Sequence, residues 1–168
     1  NPGNDTISFA SSLNSKTITL AGTELLVQGD VTINGPGASL LAVSGSHLSR
    51  VFNVASGASV AISGLTIKDG QVTGSYGGGV LNSGTLTISN STIAGNSGKW
   101  GGGLAIGPNG GTLVITNAIM SGNTATYGGG VYNNAGNVTI ANSVIASNTG
   151  TSTRSGEADR WWSSRRAG

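Results

Sequence analysis

The ionisable side chains bound the chemistry open to this chain, and they are few. Residues 1–153 carry the carboxylates Asp5, Glu24, Asp30 and Asp69 against the cations Lys16, Arg50, Lys68 and Lys99, with His47 as the one histidine. Hydrolysis of a glycosidic bond needs two convergent carboxylates. Calcium-assisted elimination needs a carboxylate cluster for the metal and a basic group to take the proton. Asp5 and Asp30 both stand just before short aliphatic runs, so a repeat would bring them near one edge; solvated strand-end residues are the simpler reading. Glu24 and Asp69 fall at other positions, and Lys68 with Asp69 reads as a solvated surface pair. His47 lacks a second zinc ligand, and no Ser or Cys nucleophile motif surrounds it. The absence of Cys excludes disulfides and thiolate metal sites. No catalytic, cofactor-binding or metal-binding residue is assigned, and the chain is expected not to be an enzyme.

Triple glycines begin at Gly77, Gly101 and Gly128. They lack the following helix and Lys-Ser/Thr pair of a phosphate loop, and the Asp of calcium-binding nonapeptides. What remains is a tight corner where backbone approaches backbone. An aromatic residue precedes each of them: Tyr76, Trp100 and Tyr127. Such a row suits contact with a glycan or a protein surface, because rings supply apolar area at modest entropy cost. The alternative is a structural lid over the corner.

These residues recur because the chain repeats. Thr85-Leu-Thr-Ile-Ser-Asn90 aligns with Thr112-Leu-Val-Ile-Thr-Asn117 and Asn137-Val-Thr-Ile-Ala-Asn142. A second unit follows each, ending at Asn96, Asn123 and Asn148, and a glycine-rich third unit precedes each. Ile88, Ile115 and Ile140 are spaced by 27 and 25 residues. The register runs back through Val60-Ala-Ile62, Val31-Thr-Ile33 and Ile7-Ser-Phe9. A unit of this length cannot bury its own apolar face, so stacking must do it. The expected fold is all-β: a right-handed parallel β-helix of five to six coils, each of three short strands, pectin-lyase-like in architecture. Alternation turns Leu86 and Ile88, Leu113 and Ile115, and Val138 and Ile140 inward.

Asn90, Asn117 and Asn142 fall at the corner between the first two strands, with Gly35 and Gly64 in their place in earlier coils. Asn and Gly tolerate the left-handed conformation such a corner needs. Stacked amides can also bond one another, so these residues, with Asn96, Asn123 and Asn148 at the next corner, are expected to form structural ladders.

The solenoid is assigned to residues 1–150. Residues 151–168 break every pattern and hold Arg154, Arg160, Arg165 and Arg166 against Glu157 and Asp159, which is the whole of the formal charge of +2. That tail is read as irregular and disordered, or foreign to the repeat, with a cap on the last coil as the other reading. The neutral body gives no argument for nucleic acid. No apolar run is long enough to span a membrane as a helix. The opening Asn1-Pro2-Gly3 shows no signal peptide and suggests a fragment or processed form.

Segments such as ITLAGTELLVQGDVTINGPGASLLAVSG, SRVFNVASGASVAISGLTI and GGGVLNSGTLTISNSTIAGNS resemble bacterial β-helix repeat surface proteins, the large exported chains that often begin with a CSLREA-type segment. More distantly they are similar to the GGA-I and FxxN repeats of chlamydial polymorphic outer-membrane autotransporters. The resemblance spans residues 1 to 149, although the CSLREA segment is absent and GGGV and VFNV only approximate the autotransporter motifs. It implies export to the cell surface or the medium and a non-catalytic stalk or adhesin-like role. A glycan or a host or cell-surface protein would be the partner, with further coils or an anchor in the parent protein. The alternative is a truncated or degenerate polysaccharide lyase or hydrolase.

Overall fold

The computed structural model describes residues 3–152 and 161–162. Parallel strands stack in about six coils, and equivalent strands make four sheets along the stack. The first sheet holds Asp5–Ser8, Val31–Asn34, Ser59–Ser63, Thr85–Ser89, Thr112–Thr116 and Asn137–Ala141, which open coils one to six in order. The second holds Lys16–Thr19, Leu41–Ser44, Thr66–Lys68, Thr92–Ala94, Ile119–Ser121 and Val144–Ala146. The third holds Leu25–Val27, Phe52–Val54, Val80–Asn82, Leu104–Ile106 and Val131–Asn133. A fourth, of Ser97–Trp100, Thr124–Tyr127 and Thr149–Gly150, was not expected: coils four and five have four strands rather than three. The added strand forms where the chain between the buried asparagine and the triple glycine runs extended beside its copy in the next coil. In the third coil the same stretch pairs only at isolated bridges, Gln71 with Ser97 and Tyr76 with Trp100.

Coil-to-coil register is residue on equivalent residue. Ile7, Ile33, Ile62, Ile88, Ile115 and Ile140 are successive partners in the first sheet; Ile7, and not Phe9, takes the isoleucine position, a two-residue shift from the expected register of the first coil that a period of two allows, since the same face stays inward. Val43, Ile67, Ile93, Met120 and Ile145 line up in the second, and Phe52, Val80, Leu104 and Val131 in the third. Their inward side chains make one continuous apolar core, fully covered in the middle coils.

The two asparagine rows differ. Asn90, Asn117 and Asn142 hold φ of 48°, 51° and 50°, the left-handed corner expected of them. Their side chains are exposed, however, and no hydrogen bond joins them among the described residues. The first-row ladder is therefore corrected: a left-handed corner turns the side chain out to water, which satisfies the amide. The second row is a buried ladder. Asn96 Nδ2 donates to Asn123 Oδ1 at 2.9 Å, and Asn123 Nδ2 donates to Asn148 Oδ1 at 2.8 Å. Each of these oxygens also accepts from the backbone N–H of the asparagine before it, and Asn96 Oδ1 accepts from Gly70 N–H at its end of the row. The nitrogens further donate to the carbonyls of Ile67, Ile93 and Met120.

The triple glycines are corners where backbone meets backbone, as read. Gly101 has φ 72°, and a Cβ on Gly102 would lie 2.5 Å from the Thr124 carbonyl oxygen. Gly101, Gly102 and Gly103 N–H groups donate to the carbonyls of Tyr127, Gly128 and Gly129 in the next coil.

Regular pairing extends slightly past the expected boundary, since the N–H groups of Thr151 and Ser152 bond the carbonyls of Ala125 and Thr126. In the tail the structure places the Trp161–Trp162 backbone antiparallel to Val131–Tyr132, at the end of the third sheet. This departs from a tail without strands, and two-residue pairing needs none of the alternation whose absence argued against one. The tail's arginines and acids lie outside the described residues.

The contrast between the rows is testable. Asn123→Ala removes the acceptor of the Asn96 N–H, the amide bond to the Ile93 carbonyl and one bond each from the Asn96 and Asn148 amides, and should cost about 3 kcal/mol or more in urea melts. Asn117→Gly, at an exposed left-handed corner, should stay within about 0.5 kcal/mol of wild type. Equal losses at both positions would refute the distinction.

Candidate functional site

The corner between the second and third sheets concentrates the polar and aromatic side chains. In coils three to five it carries the aromatic row, which the fourth-sheet register brings together: Trp100 pairs with Tyr127, and Tyr76 bridges to Trp100. The Tyr76 and Trp100 rings stack with centroids 4.6 Å apart and planes 21° apart. Trp100 and Tyr127 stack at 6.4 Å and 9°. Lys99 Nζ sits 4.3 Å from the Trp100 ring centroid, a cation–π contact. All three rings are half-buried. Because the faces of Trp100 are turned to its neighbours along the axis, the row presents ring edges outward. The stacked rings form a continuous rim beside the glycine corners.

A fourth ring joins that sequence reasoning did not single out. Tyr132 lies in the third sheet in register with Ala105 and Leu81, and its ring meets Tyr76 at 5.9 Å and 45°. Its partner in the next coil towards Tyr76 is alanine, which leaves room for the ring to lean across. The signal was the replacement of Leu81 and Ala105 by Tyr at one repeat position.

In coils one to three the same corner is charged. Arg50 is 6% exposed, and in the sequence it stands out only as one of the four cations of residues 1–153. Its Nε donates to the Gly77 carbonyl at 2.8 Å, and its Nη2 to the Tyr76 carbonyl at 2.7 Å. Its Nη1 pairs with the Glu24 carboxylate, whose other oxygen accepts from Asn53 Nδ2 at 2.6 Å. In later coils, glycine N–H groups fill the carbonyls of Trp100 and Tyr127. The second coil has no triple glycine, and the guanidinium supplies the donors instead. Burial pulls the Arg50 pKa below its ordinary value, while the charge and hydrogen bond of Glu24 work against that.

The remaining acids do not converge with Glu24. Asp69, at φ 52°, holds a corner position, pairs with Lys68 Nζ at 3.4 Å and accepts from Ser44 Oγ at 3.1 Å. Asp30 Oδ1 accepts from Ser59 N–H at 2.9 Å. Asp5 lies beside Asp30 through an N–H to carbonyl bond of 3.0 Å, and both side chains are exposed. His47 is exposed, and its N–H bonds the Asp69 carbonyl. No group of three or more His, Cys, Asp or Glu residues close enough to hold a metal ion occurs among the described residues. No helix of the described chain is long and apolar enough to cross a membrane.

Compared with protein-family models, curated proteins and solved structures, the chain gives no match in any of the three.

The Arg50–Glu24 pair should act as a unit. Arg50→Ala takes the guanidinium from two carbonyls and from one oxygen of the Glu24 carboxylate and should cost about 3 kcal/mol or more. A double-mutant cycle with Glu24→Ala should return a coupling of at least about 1 kcal/mol. Additive single losses would show that the two side chains do not depend on each other.

Proposed function

We propose that this chain is a rigid, non-catalytic binding scaffold of a secreted or surface-displayed protein, wound right-handed in the pectin-lyase-like manner, which meets its partner along the aromatic edge. The observation that supports this most is the axial row of Tyr76, Trp100 and Tyr127, in register and half-buried at one corner. A glycan or a host or cell-surface protein is the partner class this surface suits, because ring edges and Lys99 offer apolar contact beside a single exposed cation. The neutral body gives no electrostatic footprint for nucleic acid. Affinity through so narrow a rim is modest, since few contacts stand against the entropy of association. The non-catalytic reading draws support from the separate engagement of the acids: Glu24 with Arg50, Asp69 with Lys68, and Asp30 with a backbone N–H. Export, and continuation into further coils or an anchor, follow from the resemblance to bacterial surface β-helices and remain part of the proposal.

Two measurements test it. Incubation with pectins, acidic glycans and neutral polysaccharides, with and without calcium, should release neither reducing ends nor unsaturated products. Turnover abolished by Asp5→Asn or Asp30→Asn would establish an enzyme instead. On glycan and cell-surface protein arrays, any binding should fall at least about fivefold when Trp100 becomes Ala, about 1 kcal/mol. Binding indifferent to changes at Tyr76, Trp100 and Tyr127 would remove the edge as the site.

A further inference from the structure

Two Asn-Gly pairs occur in the chain, Asn34-Gly35 and Asn109-Gly110. Asparagine is among the thermolabile residues, and a following glycine has no Cβ to shield its amide nitrogen from the asparagine side chain. Both asparagines are exposed, so solvent reaches each of them. They differ in what holds the glycine N–H. Gly35 N–H donates to the Ser63 carbonyl of the next coil at 2.8 Å, and Asn34 Oδ1 accepts from Ser63 Oγ at 3.2 Å. A Cβ on Gly35 would lie 2.2 Å from the Gly64 carbonyl oxygen, so this backbone is clamped against its neighbour. Asp69-Gly70, the acid counterpart of such a pair, is held in a similar way: Gly70 N–H donates to Asn96 Oδ1 of the buried ladder at 2.8 Å. Asn109 stands instead in a turn between Leu104–Ile106 and Thr112–Thr116, where Gly110 N–H donates to the Gly107 carbonyl at 3.2 Å. That bond closes the turn and joins no other coil. No hydrogen bond holds the Asn109 side chain among the described residues.

We propose that Asn109 is a site of spontaneous deamidation in the folded chain, and that coil-to-coil bonding protects Asn34 from the same reaction. The Gly110 amide nitrogen, having given its proton to solvent base, bonds to the carbonyl carbon of the Asn109 side chain. The bond from that carbon to the side-chain nitrogen breaks, and the nitrogen takes a proton from water and leaves as ammonia. Water then opens the cyclic imide at either carbonyl, giving aspartate or isoaspartate. At Asn34 the same attack must first take Gly35 N–H from the Ser63 carbonyl, which opens the stack locally. At Asn109 only the turn has to open. The bonds on either side, Thr112 N–H to the Gly84 carbonyl and Asn137 N–H to the Gly111 carbonyl, do not involve the reacting nitrogen. The product therefore sets a new carboxylate on an intact stack, in a body whose acids and cations otherwise balance. It does so at the corner between the third and first sheets, away from the aromatic row.

The test incubates the full chain in mildly alkaline buffer and follows both sites by peptide mapping and mass spectrometry. Aspartate and isoaspartate should accumulate at Asn109 at least about tenfold faster than at Asn34, the ratio expected where one further hydrogen bond must open before reaction. In guanidinium chloride, where turn and stack are both lost, that difference should vanish. Asn109→Gln, whose side chain would have to close a larger ring, should abolish the early acidic species seen on ion exchange. Equal rates in the folded chain, or faster conversion at Asn34, would overturn the protection by the stack. An Asn109 that stays intact in the folded chain while the unfolded chain converts would overturn the site.

Discussion

Everything in this molecule depends on axial hydrogen bonding that sets each residue above its equivalent in the next coil, about 4.8 Å away. That constraint converts a local choice into a row. An isoleucine facing inward becomes a column of isoleucines, and a glycine at a corner permits the next coil's glycine to lie against it. It also decides which polar groups survive burial. A lone buried asparagine would be costly, yet Asn96, Asn123 and Asn148 each meet a neighbouring amide of the row and a core carbonyl, so the row is satisfied where one member alone would not be. The same spacing brings Tyr76, Trp100 and Tyr127 face to face without any sequence-local contact.

Because the rows follow from periodicity, most of the fold was legible before any coordinates. The aliphatic columns, the left-handed corners at Asn90, Asn117 and Asn142, and the aromatic row all repeat, and repetition can be counted. Which asparagine row is buried could not be read so easily. Both rows recur with equal regularity, and the difference lies in backbone direction at the corner, which turns one set of amides outward and the other inward. The fourth strand was hidden for a related reason. Ser97 to Trp100 and Thr124 to Tyr127 share no strong side-chain pattern, and their pairing comes from the length of chain between two fixed corners.

Arg50 is the plainest case of what repetition conceals. It occurs once, in a coil that lacks the triple glycine, and replaces a backbone feature of other coils with a side chain. The carbonyls at Tyr76 and Gly77 need donors, and a guanidinium with five N–H groups can serve two carbonyls and a carboxylate at once. A search for recurring residues passes over such a substitution. The signal was the interruption itself: an arginine and a glutamate at positions where the later coils carry neither charge.

The placement of that pair answers a mechanical need. Stability in a stacked array is a sum over neighbouring coils, and apolar cover thins towards the ends: Ile7 in the first coil is 46% exposed, whereas its partners from Ile62 to Ile115 are at most 2% exposed. The first coils therefore hold on to the stack with less hydrophobic burial than the middle ones. Glu24 belongs to coil one, Arg50 to coil two, and the carbonyls of Tyr76 and Gly77 to coil three, so a single side chain ties the coils where burial is weakest. A buried ion pair adds little net stability compared with good apolar packing. It does fix geometry, because a fork of donors tolerates only a narrow range of acceptor positions.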